Sequence, residues 1–337
     1  MSVPPPGGKG TTMVIGRVGK SWASAGASGA ARHENAMTMR RNEEVMAAPR
    51  GGLRSGCDVT TIIRSTSEIA FRSTEFNQRR PRHSRGNTPM DNNIRRLGII
   101  IPPGNVAVER EFPLHIPPGI VVNTNRLGRP DSNQTPESIL AMNDTLAQTA
   151  RDLAQAYPEV IAYVCTGGSF LEGPGNEAKP AKTIEQVTGI PGVSTSIAVV
   201  EALRVLGVRK VLLVGPYPHP IMKTEVAFLR HYGFEVPTYE TFECMTSEAN
   251  RKLTSEQIAQ RVLDKRSLIE DCDGVFISCT NILVMDQIER LERELSKPVV
   301  SSNQATLWDV LRRMKVDSRG LRGGRLFEQH GVTAAAA

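Results

Sequence analysis

Two cysteines stand at the ends of two apolar runs in nearly the same local sequence, Val164-Cys165-Thr166-Gly167 and Ser278-Cys279-Thr280-Asn281. A thiolate is a strong nucleophile and a thiol a proton donor, so two of them at matching ends of two similar half-domains can act on one small substrate from opposite sides. The segments upstream repeat as well. One apolar run ends in Pro102-Pro103-Gly104-Asn105 before the first cysteine, another in Gly215-Pro216-Tyr217 before the second; 60 residues separate Asn105 from Cys165, and 62 separate Tyr217 from Cys279. A cysteine taken alone is more often a small buried hydrophobe than a reactive group. It is the pairing at equivalent positions that points to chemistry. Cys244 and Cys272 lack the Cys-Thr signature and Cys57 lies in the N-terminal stretch, so these three read as ordinary residues.

The elements that must position these residues alternate between strand and helix from Leu97 onward, the mark of a parallel sheet with crossover helices. Leu97–Ile101, Gly119–Asn123 and Glu159–Val164 read as strands of a first unit. Lys210–Val214, Glu235–Phe242, Gly274–Ser278 and Pro298–Ser301 read as strands of a second. Helices are expected after the N-cap Thr135 to about Ala156, over Lys179–Thr188, Ser196–Leu206, Ile221–Tyr232, Ser255–Ile269 and Ile282–Leu295, and from Ala305 to Met314. The expected fold class is therefore α/β with two pseudosymmetric lobes, each with a parallel sheet, and the site in the cleft between them. The N-terminal lobe takes residues 90–207 and the C-terminal lobe 208–327, its last helix free to pack back on the first lobe, with a flexible tail at 328–337. Ligands of such sheets sit beyond the carboxyl ends of the strands, which is where Asn105, Cys165, Tyr217 and Cys279 fall. The positive pole of a following helix is expected there to bring a thiol from its usual pKa of about 8.5 toward neutrality.

Composition narrows the function class. The 337-residue chain is 39% hydrophobic, enough for substantial cores, and its longest apolar runs fall far short of the roughly 20 residues that span a bilayer, so no membrane association is expected. Five cysteines, an odd number spread widely, do not form a disulfide framework; a reducing, cytoplasmic setting is the simpler expectation. The net charge of +6 invites a nucleic-acid partner, but residues 1–90 hold 14 Lys and Arg against 6 Asp and Glu, leaving 27 against 29 in the remainder. Basicity thus belongs to the N-terminal stretch, and no nucleic-acid partner is expected of the folded part. Residues 1–89 show no sustained period and read as a disordered basic tail, as an overlong start with Met90 the natural one, or as a targeting segment. No metal-spaced His/Cys cluster, Gly-x-Gly-x-x-Gly fingerprint or Ser-His-Asp order appears in the folded region, which argues against cofactor-dependent classes.

From Arg96 to about Met314 the chain resembles the aspartate/glutamate racemase superfamily, most closely the branch of maleate cis-trans isomerases and arylmalonate decarboxylases. The resemblance rests on Gly98-Ile99-Ile100-Ile101-Pro102-Pro103-Gly104-Asn105, on Cys165-Thr166-Gly167-Gly168-Ser169-Phe170, on Gly215-Pro216-Tyr217, on Ser278-Cys279-Thr280-Asn281, and on Pro298-Val299-Val300-Ser301-Ser302-Asn303-Gln304-Ala305 with Trp308-Asp309. It implies two Rossmann-like lobes, chemistry without cofactor or metal, a small mono- or dicarboxylic acid as substrate, and a homodimer or higher homo-oligomer. Decarboxylases of the branch resemble this pattern with glycine at the first thiol; Cys165 therefore leans the expectation to an isomerase or racemase. For a maleate-like substrate the resemblance implies that Cys165 adds to the alkene and Cys279 protonates the neighbouring carbon. Negative charge then builds on a substrate carboxylate, so neutral donors are expected around it. Asn105, Thr166, Gly167 and Ser169 are candidates on the first side, and Tyr217, Asn250, Thr280 and Asn281 on the second. A decarboxylase in which Cys279 alone donates a proton, and a non-enzymatic module that binds small acids, are the alternatives.

Overall fold

The computed structural model describes residues 94–332, so Cys57, the tail expected over 1–89 and the end of that expected over 328–337 lie outside the described residues. The first sheet is built from β1 (Arg95–Ile101), β2 (Ile120–Arg126), β3 (Val160–Tyr163) and β4 (Gly192–Ser194), in the order β2-β1-β3-β4. The second, from β5 (Val211–Gly215), β6 (Tyr239–Thr241), β7 (Gly274–Ile277) and β8 (Val299–Ser301), has the order β6-β5-β7-β8. Every pairing within them is parallel. Ile100 lies beside Tyr163 and Val214 beside Ile277, the same 63-residue step in both lobes, so the pseudosymmetry is one of register as well as order. By that register Tyr217 matches Pro103 rather than Asn105, which is why the upstream spacings differ by two.

Central strands β3, β5 and β7 are buried at every residue, as expected of parallel strands covered by helices on both faces, whereas the edge strand β2 is mostly half-buried or exposed. Four departures from the sequence reading have local causes. Only Tyr239–Thr241 of the expected strand 235–242 pairs as a strand, because Pro237 has no N–H to give to the ladder. The helix expected from Thr135 to Ala156 starts as read, with Thr135 capping Ser138 N and proline at the first position, but tightens to a 3₁₀ turn over Ala141–Thr145. There Thr145 Oγ1 bonds back to the Met142 carbonyl and takes a bond from Gly128 N. Helix Ala107–His115 escaped the sequence reading because Pro113 sits inside it, and β4 because three residues are too few to show a period. The helix expected over 282–295 starts only at Ile288, after a 3₁₀ turn, and the last helix, Gly324–His330, ends where the Trp308 indole donates to the His330 carbonyl at 2.9 Å. No helix among the described residues is long and apolar enough to cross a membrane.

The two lobes meet through helices Thr195–Val205 and Ser302–Arg313, which pack on one another and join at Thr306 and Thr195 by a 3.0 Å hydrogen bond. Further buried polar ties cross nearby: Thr166 Oγ1 to Ser302 Oγ at 2.9 Å, and Thr280 Oγ1 to the Val164 carbonyl at 3.2 Å. Glu111 accepts from the Val284 and Met285 amides and from Asn303 Nδ2. Each such bond is worth about 1 kcal/mol net, but leaving one partner unpaired in the interior costs more, so the set fixes how the lobes face each other.

Candidate active site

Both thiols stand two residues beyond the ends of central strands, Cys165 after β3 and Cys279 after β7, and both line one cleft with about 350 Å³ of non-atom space, its mouth included. Cys165 is extended (φ −153°) and caps the short helix Thr166–Phe170; its Sγ accepts from the Gly168 amide at 3.3 Å. Gly168 has a reason to be glycine: a Cβ there would lie 2.0 Å from the Tyr163 hydroxyl and 3.1 Å from Cys165 Sγ. The Tyr163 hydroxyl is held by Asn143 Oδ1 at 2.6 Å, and Asn143 Nδ2 in turn donates to the Gly168 carbonyl. Cys279 is bound differently. Its backbone is at φ +97°, a conformation that a residue with a Cβ rarely adopts and that the surrounding structure must enforce. Ser302 Oγ accepts from its amide at 3.1 Å, and its Sγ accepts from Asn281 N at 3.4 Å and Asn250 Nδ2 at 3.6 Å.

The expectation of thiols brought toward neutrality is overturned. Burial pushes the Cys165 thiol above its usual pKa; the Gly168 amide and the Arg129 guanidinium oppose that rise. Burial pushes Cys279 to about 12, against the Tyr217 hydroxyl and the Asn281 amide, with the charges of Cys165 and Glu225 adding to the rise. Desolvation wins because both sulfurs are almost closed off from water, and Cys279 is followed by a turn rather than a helix, so no helix pole acts on it directly. Behind Cys279, burial raises the Glu225 carboxyl to about 8; its Oε1 accepts from Ser278 Oγ at 2.5 Å, and its Oε2 has no partner.

Of the expected donors, Gly167, Tyr217, Asn250, Thr280 and Asn281 line the cleft with the two cysteines. Asn105, Thr166 and Ser169 do not: they are buried and committed within the protein. Asn105 Nδ2 donates to the Thr280 carbonyl and hydroxyl while its Oδ1 caps helix Ala107–His115, which makes it a strut between the lobes. Thr166 bonds Ser302, and Ser169 Oγ bonds the Cys165 and Thr166 carbonyls and Ser196. Cys244 and Cys272 lie outside the cleft, their thiols near the Phe242 and Leu268 carbonyls, and His219 is exposed beside Tyr239 and Glu243. Sequence reasoning missed Arg129, Gln134 and Ser247, which also line the cleft. Gly128-Arg129-Pro130 reads as loop, and only the fold brings it to Ser247, so no local pattern signals it.

Residues 97–327 match the arylmalonate decarboxylase family. The maleate isomerase of Nocardia farcinica is 30% identical, over 72% of this chain and 99% of that protein. The arylmalonate decarboxylase of Bordetella bronchiseptica is 28% identical, over 69% of this chain and 96% of that protein. Among solved structures, a cysteine-to-serine mutant of the Nocardia farcinica maleate cis-trans isomerase, with a covalently bound succinylcysteine intermediate, superposes with a TM-score of 0.65. It is 28% identical and covers 70% of this chain and 99% of its own.

Proposed function

The chain belongs to the arylmalonate decarboxylase family, and from that premise we propose that it is a cofactor-independent cis-trans isomerase of a maleate-like dicarboxylic acid. The observation that carries the reading is that Cys165 and Cys279 line the same cleft with different surroundings. Cys165 takes the part of nucleophile, since the Gly168 amide and the Arg129 guanidinium oppose the rise that burial imposes on its thiol. Its sulfur adds to one alkene carbon, and the π electrons move to the neighbouring carbon and its carboxylate. Cys279, which holds its proton to about pH 12, delivers that proton to the same neighbouring carbon. The product is a succinyl thioether with a single bond free to rotate. The Cys279 thiolate then takes back a proton from that carbon, the double bond re-forms, the carbon–sulfur bond breaks, and Cys165 leaves as thiolate from a trans diacid.

Neutral donors suit the transient charge. Asn250, Asn281 and Tyr217 stand at the Cys279 end, where the protonated carbon and its enediolate-like carboxylate would lie. The presence of Cys165 favours isomerisation over decarboxylation, which needs a single proton donor. Proton NMR of the protein with maleate, with L-aspartate and with phenylmalonate separates the readings. Fumarate from maleate is expected; loss of carbon dioxide from phenylmalonate without isomerisation, or racemised aspartate, would overturn it.

A further inference from the structure

Arg129 is the only charged side chain lining the cleft among the described residues, and its anchorage leaves it poised for an anion. Its Nε donates to Ser138 Oγ at 3.0 Å, Nη1 to Ser247 Oγ at 3.2 Å, and Nη2 to the Asn133 carbonyl. Those bonds use three of the five guanidinium N–H groups and leave one on each terminal nitrogen. Among the described residues Arg129 forms no ion pair within 4.0 Å; Oδ1 of nearby Asp131 accepts from Ser138 Oγ at 2.6 Å and from Asn133 N at 2.8 Å. The loop that carries Arg129 is stitched across the cleft: Gln134 N donates to the Met245 carbonyl, Ser247 N to the Ser132 carbonyl, and Gln134 Nε2 to Ser247 Oγ. A cation held from both lobes is fixed in place before any ligand arrives, so little ordering is lost on binding.

We propose that Arg129 binds the carboxylate on the carbon that Cys165 attacks, and so selects a four-carbon dicarboxylate over an acid with one neutral end. The inference rests on the isomerase reading and adds a division of labour to it. A cis-ene-dioate brings two negative charges into a cleft in which Arg129 is the one cation among the lining residues. The carboxylate that becomes enediolate-like belongs with Asn250 and Asn281, which bond Cys279. The other carboxylate stays an ordinary anion throughout, and a fixed cation binds it without opposing the chemistry. Arg129 reaches the Cys165 end through Ser138, which holds its Nε: the next residue, Ile139, lies against Gly167, two residues beyond Cys165.

Calorimetric titration of the full chain with succinate and with succinamate, which replaces one carboxylate by an amide, tests this. Wild type is expected to prefer succinate by about tenfold or more; Arg129→Gln is expected to lose that preference, and Arg129→Lys, which keeps the charge, to retain part of it. An unaltered preference in Arg129→Gln, no preference in wild type, or no binding of either ligand to wild type would overturn the proposal. A Lys variant as indifferent as the Gln variant would assign Arg129 a structural role instead, and thermal unfolding of both variants identifies a simple loss of fold. The NMR assay with maleate reports separately on the reading beneath: discrimination by wild type without fumarate formation sinks the isomerase and leaves Arg129 as a carboxylate site, whereas fumarate formation with an unaltered preference sinks Arg129 alone.

Discussion

The two cysteine ends of the cleft share a sheet order and a register, yet they differ in almost everything that decides reactivity. At the Cys165 end the backbone is relaxed, a helix follows, and an amide and a guanidinium oppose the rise that burial imposes on the thiol. At the Cys279 end the backbone is at a positive φ, a turn follows, and a buried carboxyl stands behind the thiol. Duplicated topology thus supplied two equivalent positions, and on the proposed reading the side chains around them suit one to be the nucleophile and the other the proton donor. Catalysis by addition and elimination needs that inequality, because one sulfur must arrive without its proton while the other arrives with it.

The contrast breaks most visibly by removing either thiol. Cys165→Ser and Cys279→Ser are each expected to lower maleate turnover by roughly 10²–10⁴-fold or more while leaving the circular dichroism spectrum in place; near wild-type rates in either variant remove the corresponding role. Glu225 supplies the next largest effect. Its carboxyl sits at about 8 in the folded protein and near 4.5 in the unfolded chain. Between those values the unfolded chain gives up a proton that the folded protein keeps, so stability falls as pH rises across that window, by about 4 kcal/mol from this group. Urea unfolding at pH 4.5 and pH 8.5 is expected to show Glu225→Gln losing less stability over that interval than wild type. Equal losses would mean that the carboxyl does not stay protonated behind Cys279.

At the other end, Gly168→Ala places a methyl group against the Tyr163 hydroxyl. A loss of about 1–3 kcal/mol in unfolding free energy is expected, with slower alkylation of Cys165 by iodoacetamide as its hydrogen-bonded surroundings shift. An unchanged midpoint and alkylation rate would show that the tight packing is not needed. The smallest expected effect sharpens the division: Tyr217→Phe removes the hydroxyl that opposes the rise at the Cys279 thiol, and turnover should fall about tenfold. Alkylation mapped by peptide mass should slow more at Cys279 than at Cys165, and the reverse order would exchange their surroundings.

Much of this was legible from residue types. The buried runs of β1, β3, β5 and β7 announced the sheets, and the repeated Cys-Thr pair announced where the thiols stand, because both signals are local. What escaped depends on tertiary contacts. Asn105 was expected among the cleft donors and lies outside the cleft lining, tied to Thr280, a residue 175 positions away. Arg129 looked like loop and becomes part of the site only because Ser138 and Ser247 converge on it. The thiol pKa values were misjudged for the same reason: a helix pole is visible in sequence, whereas the burial that outweighs it is a property of the closed cleft.

The unequal roles of the two sulfurs are tested most directly by incubating Cys279→Ser and Cys165→Ser with maleate and measuring intact mass, followed by peptide mapping. The account predicts a maleate-derived thioether on Cys165 in the first variant, its neighbouring carbon protonated by water in place of Cys279, and none in the second. An adduct on Cys279 in the Cys165→Ser protein, or no adduct in either, would contradict it.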